Sequence, residues 1–219
     1  MVKQMRLRNI PGSEEVLNNC SYVINEPKEH KGRWFDVFQN NNPIQIEIGM
    51  GKGKFIVEMA KKNPQINFVG IEKYSSVLLR AVQKLDMLEE ISNLRFICFD
   101  AKEIDEIFDV EEINKIFLNF SDPWPKDRHS KRRLTSKEYL NRYEKIIEKY
   151  GILEFKTDNK ILFDFSLEEY KESNWILLEV SFDLHHDLKM NTDNIMTEYE
   201  QKFSEMGNVI YKMILKNKE

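Results

Sequence analysis

The sequence predicts an α/β protein, a mostly parallel sheet with helices on both faces. Three observations point there: strand-like and helix-like segments alternate from residue 44 onward, the first strand runs into a turn with glycine at every second position, and acids follow the ends of successive strands. Of the 219 residues, 65 are Leu, Ile, Val or Phe, well above the roughly 20% below which chains fail to order. A chain of this length is read as about one domain, two at most, with a sizeable core.

The elements follow in order. Residues 1–40 read as an N-terminal extension, packed on or flexible beside the main domain, and the polar break Asn40-Asn41-Asn42-Pro43 marks the boundary with residues 41–219. Residues 44–48 alternate β-branched and polar side chains and predict a strand. Residues 52–62 have helical spacing in Phe55, Ile56, Met59 and Ala60. Residues 67–71 read as a buried strand. Residues 74–90 read as a helix with Val77, Leu78, Ala81, Val82, Leu85 and Leu88 on one stripe. Strands are expected at 94–99 and 115–120, then a helix at 136–150 ended by Gly151 in the C′ manner. A strand at 151–156, a helix at 160–171 and strands at 175–182 and 209–215 complete seven strands.

No apolar run approaches the roughly 18 residues of a membrane span, and the basic N-terminus lacks the apolar stretch of a signal peptide. A cytoplasmic protein without membrane partners is expected. Cys20 and Cys98 have no metal-ligand spacing, which excludes a disulfide framework; Cys98, inside a strand pattern, is expected to be buried and inert. Net charge is −4, yet residues 126–133 carry five cations and one acid. That local +4 leaves −8 elsewhere, the distribution of a protein that places an anion at one spot rather than coating itself with polyanion.

In such sheets ligands sit beyond the carboxyl ends of the strands, near the switch in strand order. The first strand ends in Glu47-Ile48-Gly49-Met50-Gly51-Lys52-Gly53, whose glycines let backbone N–H groups approach a ligand. The second ends in Glu72, where an acid suits a ribose diol. Together they point to an adenosine-containing cofactor. Position 54 is Lys, so the dinucleotide fingerprint is absent. Asp100 follows the third strand, and Asp122-Pro123-Trp124-Pro125-Lys126 follows the fourth. Two prolines around Trp124 stiffen that loop, so that an acid and a ring can be held where a planar base would lie.

These motifs carry a resemblance. The glycine turn with its second-strand acid resembles S-adenosylmethionine-dependent methyltransferases of the Rossmann-like, seven-stranded type. The run Asp122-Pro123-Trp124-Pro125-Lys126-Asp127-Arg128-His129-Ser130-Lys131-Arg132-Arg133 resembles the signature of the bacterial tRNA (guanine-N7-)-methyltransferases, which modify a guanosine in the tRNA variable loop. The likeness continues through Phe155-Lys156-Thr157-Asp158 and residues 197–203, and only loosely into the first forty residues, through Arg6, Arg8, Trp34 and Phe35. It implies the cofactor S-adenosylmethionine, no metal, and tRNA as partner. It implies that Glu47, Gly49, Gly51, Gly53, Glu72, Asp100 and Asp122 meet the methyl donor, with Asp122 also the catalytic acid. Lys126, Asp158, Thr197, Glu198, Tyr199 and Glu200 would bind substrate, and Arg128, His129, Ser130, Lys131, Arg132 and Arg133 would contact RNA.

Two other readings remain open at this point. The Asp-Pro-Trp segment is similar to the motif of amino-group methyltransferases acting on other bases, which product analysis separates. A non-catalytic RNA-binding module would have no need of S-adenosylmethionine. Monomer and homodimer are both compatible with the sequence. His185-His186-Asp187 lacks a third ligand at useful spacing and reads as a turn rather than a metal site. Trp124 is either a stacking platform or a core residue.

Overall fold

The computed structural model describes residues 10–85 and 90–218. In chain order the elements are α1 (Ser13–Asn18), α2 (Trp34–Phe38), β1 (Ile44–Ile48), α3 (Lys54–Lys62), β2 (Asn67–Glu72), α4 (Ser75–Leu85), β3 (Leu94–Cys98), β4 (Ile113–Asn119), α5 (Lys137–Ile146), β5 (Ile147–Thr157), α6 (Lys160–Glu169), β6 (Trp175–Ser181), α7 (Glu198–Glu205) and β7 (Tyr211–Asn217). They form one seven-stranded sheet in the order β3-β2-β1-β4-β5-β7-β6. Strands β1 to β5 pair in parallel, whereas β7 runs antiparallel between β5 and β6. The order therefore reverses between β1 and β4, whose neighbouring positions include Glu47 and Phe117. Every residue of β1 and β2 is buried, as befits central parallel strands covered on both faces.

The two covered faces have separate cores. One gathers Trp34 and Phe38 of α2, Tyr139 and Tyr143 of α5, and Phe163 of α6 against the sheet. The other gathers Leu17 of α1, Phe55 and Ile56 of α3, and Leu78 and Val82 of α4. Residues 10–40 belong to this packing. Trp34 is fully buried, and its Nε1 donates to the Ile107 carbonyl at 2.8 Å. Residues 22–24 run along β3, with Phe96 N donating to Tyr22 O (2.7 Å) and Ile24 N to Phe96 O (2.9 Å), which covers part of a sheet edge. Phe35 is exposed. Arg6, Arg8 and Leu88 lie outside the described residues.

Several boundaries differ from expectation. Helix α3 starts at Lys54 because Gly51 and Gly53 are left-handed (φ 58° and 76°), which keeps Lys52 in the turn. Helix α5 stops at Ile146, and β5 begins at the next residue. Gly151 is no helix cap. Tyr150 carries the positive φ (62°), and a methyl group on Gly151 would lie 2.5 Å from Ile147 Cγ1 and 3.0 Å from the carbonyl oxygens of Asn114 and Glu148. Glycine is there because the backbones crowd where β5 enters the sheet. Cys98, expected buried, is exposed as the last residue of β3; partial desolvation still pushes its thiol up, against reactivity.

Candidate functional site

Parallel pairing brings the carboxyl ends of β1 to β5 to one edge of the sheet, and there the predicted residues meet. The turn after β1 is left-handed at Gly49, Gly51 and Gly53. A methyl group on Gly53 would press on Ala81 at 3.3 Å, so this glycine lets α3 and α4 approach each other. A methyl group on Gly51 would meet nothing within 4 Å: the turn faces open space at that point. Glu72 ties the turn to β2, one oxygen accepting from Gly51 N (3.1 Å) and the other from Tyr74 N (3.0 Å). Burial pushes the Glu72 carboxyl up, and the nearby charge of Asp122 adds to this.

Glu47 is 2% exposed. Its Oε1 accepts from Asn119 Nδ2 at 2.9 Å, which links the ends of β1 and β4, while Oε2 is buried without a hydrogen bond. Burial pushes this carboxyl up to about 8. Ser121 Oγ, just beyond β4, is a second buried polar atom without a partner. Asp100 lies at the end of β3, where it accepts from Lys102 N (3.1 Å) and from Lys73 Nζ (2.6 Å). Partial burial opposes its ionisation, but the lysine outweighs that and holds the carboxyl below its usual range.

The loop after β4 is strained. Phe120 (φ 53°) and Trp124 (φ 41°) are left-handed, a conformation that costs a bulky residue on the order of 1–3 kcal/mol. Phe120 N donates to Lys156 O at 2.8 Å. Asp122 is exposed. Half-buried Trp124 has His129 edge-on at 5.7 Å and the Arg132 guanidinium 5.1 Å from its ring. Residues Asp127–Arg132 form a 3₁₀ turn begun by Lys126. Lys126, Arg128, Lys131 and Arg132 are exposed along it, and Lys131 pairs with Glu138 at 3.1 Å. Arg133 differs: it is 5% exposed and donates from Nε to Pro123 O (3.0 Å) and from Nη2 to Trp124 O (3.1 Å).

Helix α7 closes over the same edge. Thr197 Oγ1 accepts from Glu200 N (2.9 Å), half of a capping box. The glutamate side chain is instead drawn inward and fully buried. Its Oε2 accepts from Lys156 Nζ (2.7 Å), its Oε1 accepts from Asn194 Nδ2 (2.8 Å), and His185 Nε2 lies 3.1 Å from Oε1. Burial alone would push the Glu200 carboxyl up, but Lys156 holds it below its usual range. Lys156 also donates to Asn194 Oδ1 (3.0 Å) and Ile195 O (3.1 Å). Glu198 points outward, pairing with Lys84 and with Lys52 of the glycine turn at 3.6 Å. The Tyr199 ring lies 5.0 Å from Phe120 and 4.1 Å from Phe203, and its hydroxyl donates to Asp158 Oδ2 at 3.4 Å. Burial and the Asp158 carboxylate push that hydroxyl up to about 12.

Glu47, Gly49, Gly51, Gly53, Glu72, Asp122 and Asp158 thus lie at or just beyond the carboxyl ends of β1, β2, β4 and β5, with Thr197, Glu198 and Tyr199 at the start of α7, which meets that edge through Lys52, Phe120 and Asp158; Asp100 lies one strand further out. Lys126, Arg128, His129, Ser130, Lys131 and Arg132 form a cationic rim on the loop after β4. Glu200 and Arg133 have polar groups already committed to protein partners. His185 and His186 lie in a 3₁₀ turn, with His186 Nδ1 3.0 Å from Asp183 Oδ2, and no group of metal-binding side chains occurs among the described residues. Sequence reasoning gave no separate role to Asn119, Phe120, Asn194 or Lys156. Asn119 ends β4 and Lys156 lies one residue short of the end of β5, so the strand-end rule that found the acids reaches them as well.

Residues 41–213 match the sequence model of a family described as "Putative methyltransferase". A tRNA (guanine-N(7)-)-methyltransferase of Lachnoclostridium phytofermentans is 58% identical over 96% of this chain and 97% of its own. Enzymes of the same name from Geobacillus sp. and Bacillus subtilis are 51% identical (97% of this chain, 96% of that one) and 47% identical (95% and 97%). Among solved structures, an antibiotic-related methyltransferase superposes with TM-score 0.64 at 14% identity, covering 85% of this chain and 92% of that one. The 16S rRNA methyltransferase KamB superposes with TM-score 0.63 at 10% identity, covering 85% and 93%. At such identities the structural likeness speaks to the fold, the Rossmann-like fold of S-adenosylmethionine-dependent methyltransferases.

Proposed function

Because the chain belongs to the tRNA (guanine-N7-)-methyltransferase family, whose members methylate N7 of guanine in tRNA using S-adenosylmethionine, we propose that the cleft at the carboxyl ends of β1, β2, β4 and β5 is where this reaction takes place, on a guanosine of the tRNA variable loop. The residues present fit the donor. Gly51 leaves open space at the turn, and Glu47 Oε2 near the end of β1 and Ser121 Oγ just beyond β4 are buried polar atoms without protein partners. Glu47 and Asp122 would face its cationic amino acid portion, Glu72 its ribose diol and Asp100 its base. When bound, S-adenosylmethionine supplies a methyl group on a sulfonium, open to attack by a lone pair.

Guanine N7 has an in-plane lone pair and no proton to lose, so the protein's task is to align the base and to stabilise positive charge on it. Carboxylates serve both needs. Asp122 or Asp158 can accept from guanine N1–H and the N2 amino group, a pattern that adenine lacks. Phe120 and Tyr199 offer aromatic faces against which the base can be held once it leaves its stack. Asp122 then acts by orientation and charge and not by taking a proton. Lys126, Arg128, Lys131 and Arg132 would meet phosphates, which fix register without reading sequence.

The observation that most supports this reading is Tyr199, which spans Phe120 just after β4 and Asp158 just after β5 and so holds α7 at the carboxyl edge, where Glu198 pairs with Lys52 of the glycine turn. No described helix is long and apolar enough to cross a membrane, and we propose that the enzyme works in the cytoplasm, where tRNA is found. The test compares an unmodified tRNA transcript with one whose variable-loop guanosine is replaced by adenosine. 7-Methylguanosine should form in the first alone; equal product from both would overturn the assignment to that loop.

A further inference from the structure

Arg133 ends a run of cations, and by sequence it belongs with the RNA contacts. Its surroundings say otherwise. The side chain is 5% exposed, and its guanidinium lies over the Phe165 ring at 4.2 Å. Two of its nitrogens donate to consecutive carbonyls, Pro123 O at 3.0 Å and Trp124 O at 3.1 Å. Its own backbone is fixed as well, with Arg133 N donating to Ser130 O (2.9 Å) and Ser136 N to Arg133 O (3.0 Å). Arg132, its neighbour, is exposed, with its guanidinium over the Trp124 ring at 5.1 Å.

The segment that Arg133 holds is the one that needs holding. Left-handed Phe120 and Trp124 bracket Asp122 and Pro123, and such conformations persist only when the surroundings over-determine them. Phe120 is fixed through its N–H to Lys156 O. At the far end of the segment the fork of Arg133 grips the two carbonyls next to Asp122. A planar guanidinium can serve two acceptors and stack on a ring at once, which a lysine ammonium cannot.

The geometry points to Arg133 as a positioning residue that sets the Asp122-Pro123-Trp124 loop for methyl transfer and makes no phosphate contact. This rests on the reading of Asp122 as the group that orients guanine. Arg133 acts through the loop, so its loss changes the rate of the bound complex, whereas loss of a phosphate contact changes the binding and its salt dependence.

The experiment compares the full chain with Arg133→Lys, Arg133→Gln and Arg132→Ala. Three quantities are read: the tRNA dissociation constant across a salt series, the single-turnover methylation rate with both substrates saturating, and acrylamide quenching of tryptophan fluorescence. Trp34 and Trp175 are buried, so quenching reports on Trp124. Both Arg133 variants should slow the saturated step by about 100-fold, the cost of a misplacement near 1 Å. They should increase quenching and leave the salt slope unchanged, whereas Arg132→Ala should flatten that slope. A flattened slope in Arg133→Gln, which removes the charge, or a wild-type rate with wild-type quenching, would overturn the proposal. Should the Arg133 variants not fold, Phe165→Leu, which removes the ring beneath the guanidinium, is expected to lower the rate in the same direction; an unchanged rate there overturns it equally. A wild-type rate in Asp122→Ala would instead sink the reading of Asp122, so the two failures are distinguishable.

Discussion

Glu47 sits one residue before the end of β1, buried, with one oxygen on Asn119 and the other without a hydrogen bond. Its carboxyl titrates near 8 in the folded chain against 4.5 when free. Between those values the folded protein holds a proton that the unfolded chain has released. The stability this residue contributes is therefore complete below pH 4.5 and is lost as pH rises through 8, by roughly 5 kcal/mol in all. Glu47→Gln cannot ionise, so urea unfolding from pH 5 to 9 should show a flatter profile and a more stable variant at the alkaline end. Parallel profiles for the two proteins would exclude Glu47 as the group responsible. The acids of the cleft are legible in the sequence because they follow strand ends. What each carboxylate or cation faces is not: Glu200 and Arg133 stand in the same motifs as their neighbours, and only packing shows that their polar groups are used internally.

Helix α7 is held mainly by what lies beneath it. Lys156 and Glu200 form a pair that is 3% and 0% exposed, completed by Asn194, Ile195 and His185. Such a pair adds little over a well-packed apolar substitute, but breaking it strands a buried charge. Lys156→Met should cost about 3–5 kcal/mol in chemical denaturation, and Lys156→Met with Glu200→Leu should recover much of that. A single variant as stable as wild type would show that the pair does not anchor the helix. At the scale of elements the strands were legible, since β-branched runs end at glycine or acid. The end of α5 was not. Helical spacing continues past Ile146, but pairing of Ile147 with Ile113 of β4 draws the chain into the sheet, and a tertiary contact overrides the local period. Strand periodicity carries no direction, so the antiparallel insertion of β7 between β5 and β6 was equally hidden.

Charge organises the molecule as a whole. The chain totals −4, while residues 126–133 carry +4 on the loop after β4, at the same sheet edge as the acids that follow the strands. With Arg133 buried, the exposed cations of this run are Lys126, Arg128, Lys131, which pairs with Glu138, and Arg132. Arg132→Ala should weaken tRNA binding and lower the slope of log affinity against log salt by about 1, with donor affinity unchanged. An unchanged slope would place that residue off the RNA path. This division of labour puts anion binding at the rim and base orientation within, under α7 and beside the turn after β1. Single-turnover transfer from labelled S-adenosylmethionine to unmodified tRNA, compared between wild type and Asp122→Ala and followed by nucleoside analysis, tests it most directly. Label should appear in 7-methylguanosine, and the variant should be slower by about 100-fold or more. Label in another nucleoside, or an undiminished rate without the Asp122 carboxylate, would contradict it.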